Sequence, residues 1–194
     1  MKQTTKLLMA AGLLLAATTA AAHTGHGTHA ESGFLRGLLH PMLGLDHLLA
    51  MAAIGFWSVR QSSTMKQITP LFVIGGMVLG AGIAWGGMSL PGVETGISLS
   101  VILAGILIAT MAKLPTAVGG SLVAAFMVFH GFAHGAEMPA GATLAAYLTG
   151  FSIATLVLTS VGRGLGAVMM KADSRFGQTL GGVVAATGAF LAAA

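Results

Sequence analysis

The sequence predicts an all-α integral membrane protein, a bundle of six transmembrane helices behind a cleavable signal peptide. Three observations predict it. Of the 194 residues, 55% are hydrophobic and only 7% are charged, whereas a soluble domain carries about a quarter charged residues to face water. The apolar residues fall into runs near the ~20 residues that cross a ~30 Å hydrocarbon core. The chain also holds 29 glycines, which weaken soluble helices but let membrane helices pack backbone to backbone.

Taken in order, residues 1–22 have the form of a secretory signal. Lys2 and Lys6 precede a short apolar core from Leu7 to Ala17, and Ala20, Ala21 and Ala22 supply small residues for cleavage. Residues 23–32 then form a periplasmic tail with three histidines, His23, His26 and His29, a local density able to gather metal ions. The transmembrane domain follows over 33–194, with spans at 33–59, 67–88, 92–112, 116–136, 140–161 and 176–194. Pro70, Pro91, Pro115 and Pro139 lie near the predicted helix starts, where a missing N–H costs little.

Orientation follows from the basic residues, because short loops rich in Lys and Arg stay in the cytoplasm. Arg60 and Lys66 follow the first span, Lys113 the third, and Arg163, Lys171 and Arg175 the fifth, while the alternate connectors hold neither residue type. Both mature termini are therefore placed in the periplasm, in a bacterial inner membrane. Glycines four apart at Gly76/Gly80, Gly82/Gly86, Gly131/Gly135 and Gly177/Gly181 predict close helix packing. The net charge of +4 is scattered in ones and twos, which argues against nucleic-acid binding, and the absence of cysteine excludes thiolate metal sites.

Two segments stand out from the apolar background. His40-Pro41-Met42-Leu43-Gly44-Leu45-Asp46-His47 lies in the first span, and His130-Gly131-Phe132-Ala133-His134-Gly135-Ala136-Glu137 closes the fourth. An ionisable group near the bilayer centre costs on the order of 2.5–3.5 kcal/mol, so several together need a partner or an aqueous cavity, and a cation answers that need. At ~100° per residue, His40 and His47 lie about 20° apart in projection, and His130, His134 and Glu137 share a stripe of roughly 60°. Asp46 lies about 100° off the first line, where it suits a partner that accepts a ring N–H and fixes a histidine's tautomer. Depth depends on where the first helix begins. A start at Pro41 sets His47 level with the second motif, and a start at Gly33 makes a ladder of ligands leading inward.

A lone membrane histidine is most simply explained by a bond to a backbone carbonyl. Two polar stripes matched in side and depth point instead to metal binding. The two motifs together, with Phe129 ahead of the second, resemble the paired signature of the HupE/UreJ family, membrane accessory proteins found with hydrogenase and urease systems and regarded as nickel or cobalt permeases. The resemblance covers the whole chain. It implies that His40, Asp46, His47, His130, His134 and Glu137 bind and pass a divalent metal ion, with metalloenzyme maturation proteins as the downstream partners. The donor types alone suit Ni, Co, Zn and Cu(II) alike, and the twelve methionines keep copper open, so nickel rests on the resemblance.

The transport reading has the ion enter from the periplasm and exchange its waters for these ligands. No phosphate-binding G-x-x-x-x-G-K-[ST] loop occurs, so a gradient, membrane potential or cytoplasmic trapping drives it. The rival from another class is a membrane-embedded zinc-dependent hydrolase with Glu137 or Asp46 as base. The sequence offers it no distinctive nucleophile.

Overall fold

The computed structural model describes residues 33–193, so the predicted signal peptide and His-rich tail lie outside the described residues. Within them the chain forms seven helices and no strand. They are α1 (Gly33–Leu43), α2 (Leu45–Ser58), α3 (Ser63–Trp85), α4 (Val93–Ala109), α5 (Thr116–Ala136), α6 (Leu144–Ala172) and α7 (Ser174–Ala193). Among the described residues, α3, α5, α6 and α7 are long and apolar enough to cross a membrane, and the bent pair α1–α2 makes up to five such spans. The apolar α4 is shorter, at 17 residues.

The predicted first span is thus broken. α1 and α2 meet at 80°, and the break falls at Gly44, whose backbone is extended at φ −85° and ψ 116°. Pro41 does not open a helix but lies inside α1. A Cβ at residue 44 would come within 2.9 Å of the Asp46 carboxylate and 3.3 Å of His47 Nδ1. Glycine therefore lets the chain turn while the side chains of Asp46 and His47 fold back over it. A projection of His40 and His47 onto one continuous helix does not apply.

Two other boundaries differ from the sequence reading. Pro70 lies well inside α3, where its missing N–H leaves the Lys66 carbonyl without its usual partner four residues on. Arg163 Nη1 donates to that carbonyl at 3.0 Å, which replaces the lost bond. The fifth span does not end at residue 161 either: α6 continues to Ala172, about 44 Å at 1.5 Å per residue. Arg163 and Lys171 are therefore helical residues. Gly162 and Gly166, beyond the predicted end, are packing positions, since a Cβ at Gly162 would strike the Ala52 carbonyl and one at Gly166 would lie 3.0 Å from the Phe56 carbonyl.

Close backbone approach of this kind organises the bundle. α3 and α5 run parallel and interlock, because Gly76 and Gly80 face Ala124, Met127 and Val128 while Gly131 and Gly135 face Met77 and Ala81. α1 and α2 both pack on α6, through Gly37 against Tyr147, Gly150 against Phe34, and Gly55 against Thr159. α4 pairs with α7 where Gly105 and Gly181 meet. The Gly82/Gly86 pair joins nothing, since Gly82 has no atom near its missing Cβ and Gly86 meets mainly its own helix. The core between these groups is apolar, led by Met51, Met77, Met127, Phe151 and Tyr147, all essentially buried.

Candidate metal centre

Both motifs arrive at one end of the bundle because α1 and α2 begin there and α5 ends there. Their four imidazoles form a continuous cluster. His47 lies 4.7 Å from His130 and 4.6 Å from His134, measured between ring centroids, and His40 lies 4.9 Å from His134 and 6.4 Å from His47. α2 and α5 do not pack backbone to backbone, so the rings bridge a gap between helices. Exposure falls along the cluster, from 57% for the Glu137 side chain and 31% for His40 to 0% at His134 and His130.

Each of three rings is held on one nitrogen by an oxygen, which fixes its tautomer. His47 Nδ1 donates to Asp46 Oδ1 at 2.8 Å, and the same oxygen accepts the His47 backbone N–H at 2.7 Å. His40 Nε2 donates to Glu137 Oε2 at 2.7 Å. Ser100 Oγ gives its own proton to the Ile97 carbonyl at 2.6 Å, so it accepts from His130 Nε2 at 2.8 Å. The opposite nitrogens are then bare lone pairs: Nε2 of His47, Nδ1 of His130 and Nδ1 of His40.

Buried polar atoms normally find partners. Here His47 Nε2, His130 Nδ1 and both ring nitrogens of His134 are buried with none. His134 instead stacks flat on Phe151, with centroids 5.2 Å apart and planes at 13°. Leaving such groups unbonded costs about 1–3 kcal/mol each, and four of them in one cluster make a costly arrangement for the fold alone. It matches the pattern of metal-binding histidines, in which a carboxylate or hydroxyl orients the ring and raises the basicity of the free nitrogen.

Among the described residues no group of three or more His, Asp or Glu side chains is set to hold a metal ion as it stands. The histidine rings meet edge to face, at interplanar angles of 69–84° in the contacts among His40, His47, His130 and His134. Closing their free nitrogens on one ion requires the rings to turn. At the outer rim the hydrogen bond from His40 holds the Glu137 carboxyl below its usual pKa, so it is anionic at neutral pH and faces the approach to the cluster.

Sequence reasoning missed three contributors: Ser100, Phe151 and Tyr147. Ser100 sits in an otherwise apolar helix, and only the fold places it against His130. Tyr147, the single tyrosine, lies 6.4 Å from the His40 ring and 5.7 Å from Phe151. Its isolated hydroxyl near a span's end was the one available signal.

Comparison with known proteins gives concordant findings. The family described as HupE / UreJ protein matches residues 11–191. The protein HupE of Rhizobium leguminosarum bv. viciae is 42% identical over 175 residues, which covers 88% of this chain and 89% of that protein. No solved structure matches.

Proposed function

The chain belongs to the HupE/UreJ family, and on that premise we propose that it carries a divalent transition-metal ion, nickel foremost and cobalt next, across the bacterial inner membrane. The ion is then available to the maturation of enzymes such as hydrogenase or urease. The single observation that carries this reading is the four buried imidazole nitrogens without partners at the meeting point of both motifs. His40, His47, His130 and His134 supply nitrogen ligands, Asp46 orients His47, and Glu137 attracts the cation at the rim. Nothing in the family match favours the hydrolase alternative.

The chain is a multi-pass membrane protein. We read it as six spans by counting the bent α1–α2 pair once and including α4, whose 17 residues reach about 25 Å. The basic residues Arg60, Lys66, Lys113, Arg163, Lys171 and Arg175 then mark the cytoplasmic end. The histidine cluster lies at the opposite, periplasmic end, which supports entry from outside.

Transport is tested with purified protein in vesicles that enclose a metal-sensitive dye. Nickel added outside is expected to quench the dye at a protein-dependent rate. Tight binding without any flux would leave a scaffold or sensor as the better description. A second prediction isolates the orienting carboxylate: Asp46→Ala is expected to lower nickel affinity about 10–100-fold, the usual effect of losing such a partner. Equilibrium dialysis measures it, and an affinity equal to that of the parent protein would remove Asp46 from the site.

A further inference from the structure

The face of α6 that receives His134 continues beyond it. Tyr147, Phe151, Thr155 and Thr159 follow at intervals of four, one above another along the helix. Phe151 stacks on His134, and α5 and α6 run in opposite senses between the two ends of the bundle. One turn further from the site end, His130 on α5 therefore corresponds in level to Thr155 on α6. Thr159 lies a turn beyond, at the level of Met127.

These two threonines differ from those whose hydroxyls bond within their own helix. Thr69, Thr149, Thr179 and Thr187 each donate the hydroxyl to the carbonyl four residues back, at 2.6–3.0 Å, the ordinary refuge of a helical hydroxyl. Thr155 and Thr159 are 0% and 5% exposed, and neither hydroxyl has a partner. Two orphaned oxygens a turn apart, leading away from four histidines into an apolar core, are costly features that packing alone would not retain.

We propose that Thr155 and Thr159 form an inner oxygen-lined station that takes a partly hydrated divalent cation from the histidine cluster toward the cytoplasmic end. The proposal rests on the permease reading. A hydroxyl oxygen offers a lone pair to the ion or to one of its waters while its proton turns to the carbonyl four residues back, Phe151 for Thr155 and Thr155 for Thr159. Neutral oxygen is a weaker ligand than imidazole for these ions. A path needs such weak, multiple sites, so that binding favours entry without preventing departure. Met51 and Met127 each lie a turn deeper than His47 and His130 on their own helices and are fully buried. The stripe ends at exposed Arg163, tied to the Lys66 carbonyl.

The test is the double variant Thr155→Val/Thr159→Val beside Thr155→Ser/Thr159→Ser, each in dye-loaded vesicles with nickel alone as probe and with nickel binding measured on the same preparation. Valine removes hydroxyls that make no internal bond, so folding is expected to survive. The valine variant should bind nickel as the parent does while its flux falls about tenfold or more, the worth of one hydroxyl contact to a cation. The serine variant should restore flux. Parent-like flux in the valine variant would overturn the station and leave the permease reading intact. Loss of binding along with flux would overturn the separation into two stages. Absence of flux in the parent protein would instead overturn the permease reading, and the station with it.

Discussion

Leucine at His134 is expected to abolish nickel uptake and to leave the protein at least as stable as the parent. The first half follows from position. His134 touches both His40 and His47, at 4.9 and 4.6 Å, and is the ring in the cluster with neither nitrogen bonded. Without it the outer His40 keeps only its longer 6.4 Å approach to the deeper pair, at His47. The second half follows from desolvation: a buried imidazole with no hydrogen bond is a burden on the fold, and an apolar side chain of similar size removes it. Relief of about 1 kcal/mol is expected, and the trade of stability for activity is common at functional sites. Vesicle flux and thermal unfolding in detergent read the two effects separately. A variant that unfolds early but still transports would contradict both halves.

Alanine at Gly131 has an equally large effect of the opposite kind. The added Cβ would strike the Met77 carbonyl of α3, and backbone cannot step aside as a flexible side chain does. The parallel pair α3–α5 must separate, at a cost of at least the 1–3 kcal/mol typical of overpacking, and His130 and His134 move with it. Folded protein recovered from the membrane should fall sharply, as size-exclusion profiles would record. Gly82→Ala is the internal control: nothing lies near its missing Cβ, so the same substitution in the partner helix α3 is expected to be silent. Equal losses at both positions would mean that glycine content, rather than this contact, sets stability.

Much of this architecture was legible in the sequence, for identifiable reasons. Apolar runs of membrane-spanning length are hard to disguise, and the α5 prediction over 116–136 coincides with the observed helix. The His130, His134 and Glu137 stripe was readable because that segment is one regular helix to Ala136, with Glu137 at its cap. The first motif was harder. Pro41 has the local properties of a helix start, yet it lies inside α1, and the turn is made three residues later at Gly44, where only the folded positions of Asp46 and His47 exclude a Cβ. The end of α6 was misread because Arg163 and Lys171, basic residues that mark a cytoplasmic connector, sit equally well on a helix that continues past the apolar run. Ser100, Phe151 and Tyr147 join the cluster through tertiary register, which no local pattern encodes.

The glycine contacts have one more consequence. α1 and α2 are clamped to α6, and α3 is clamped to α5, so His40 and His47 ride on one rigid group while His130 and His134 ride on another. The seam between the two groups passes through the middle of the imidazole cluster. Rocking one group against the other changes the His47–His130, His47–His134 and His40–His134 separations together, while each ring keeps its place within its own group. The proposed shell, divided in this way, would be assembled or dismantled by a single rigid displacement, with no ring needing to leave its own helix.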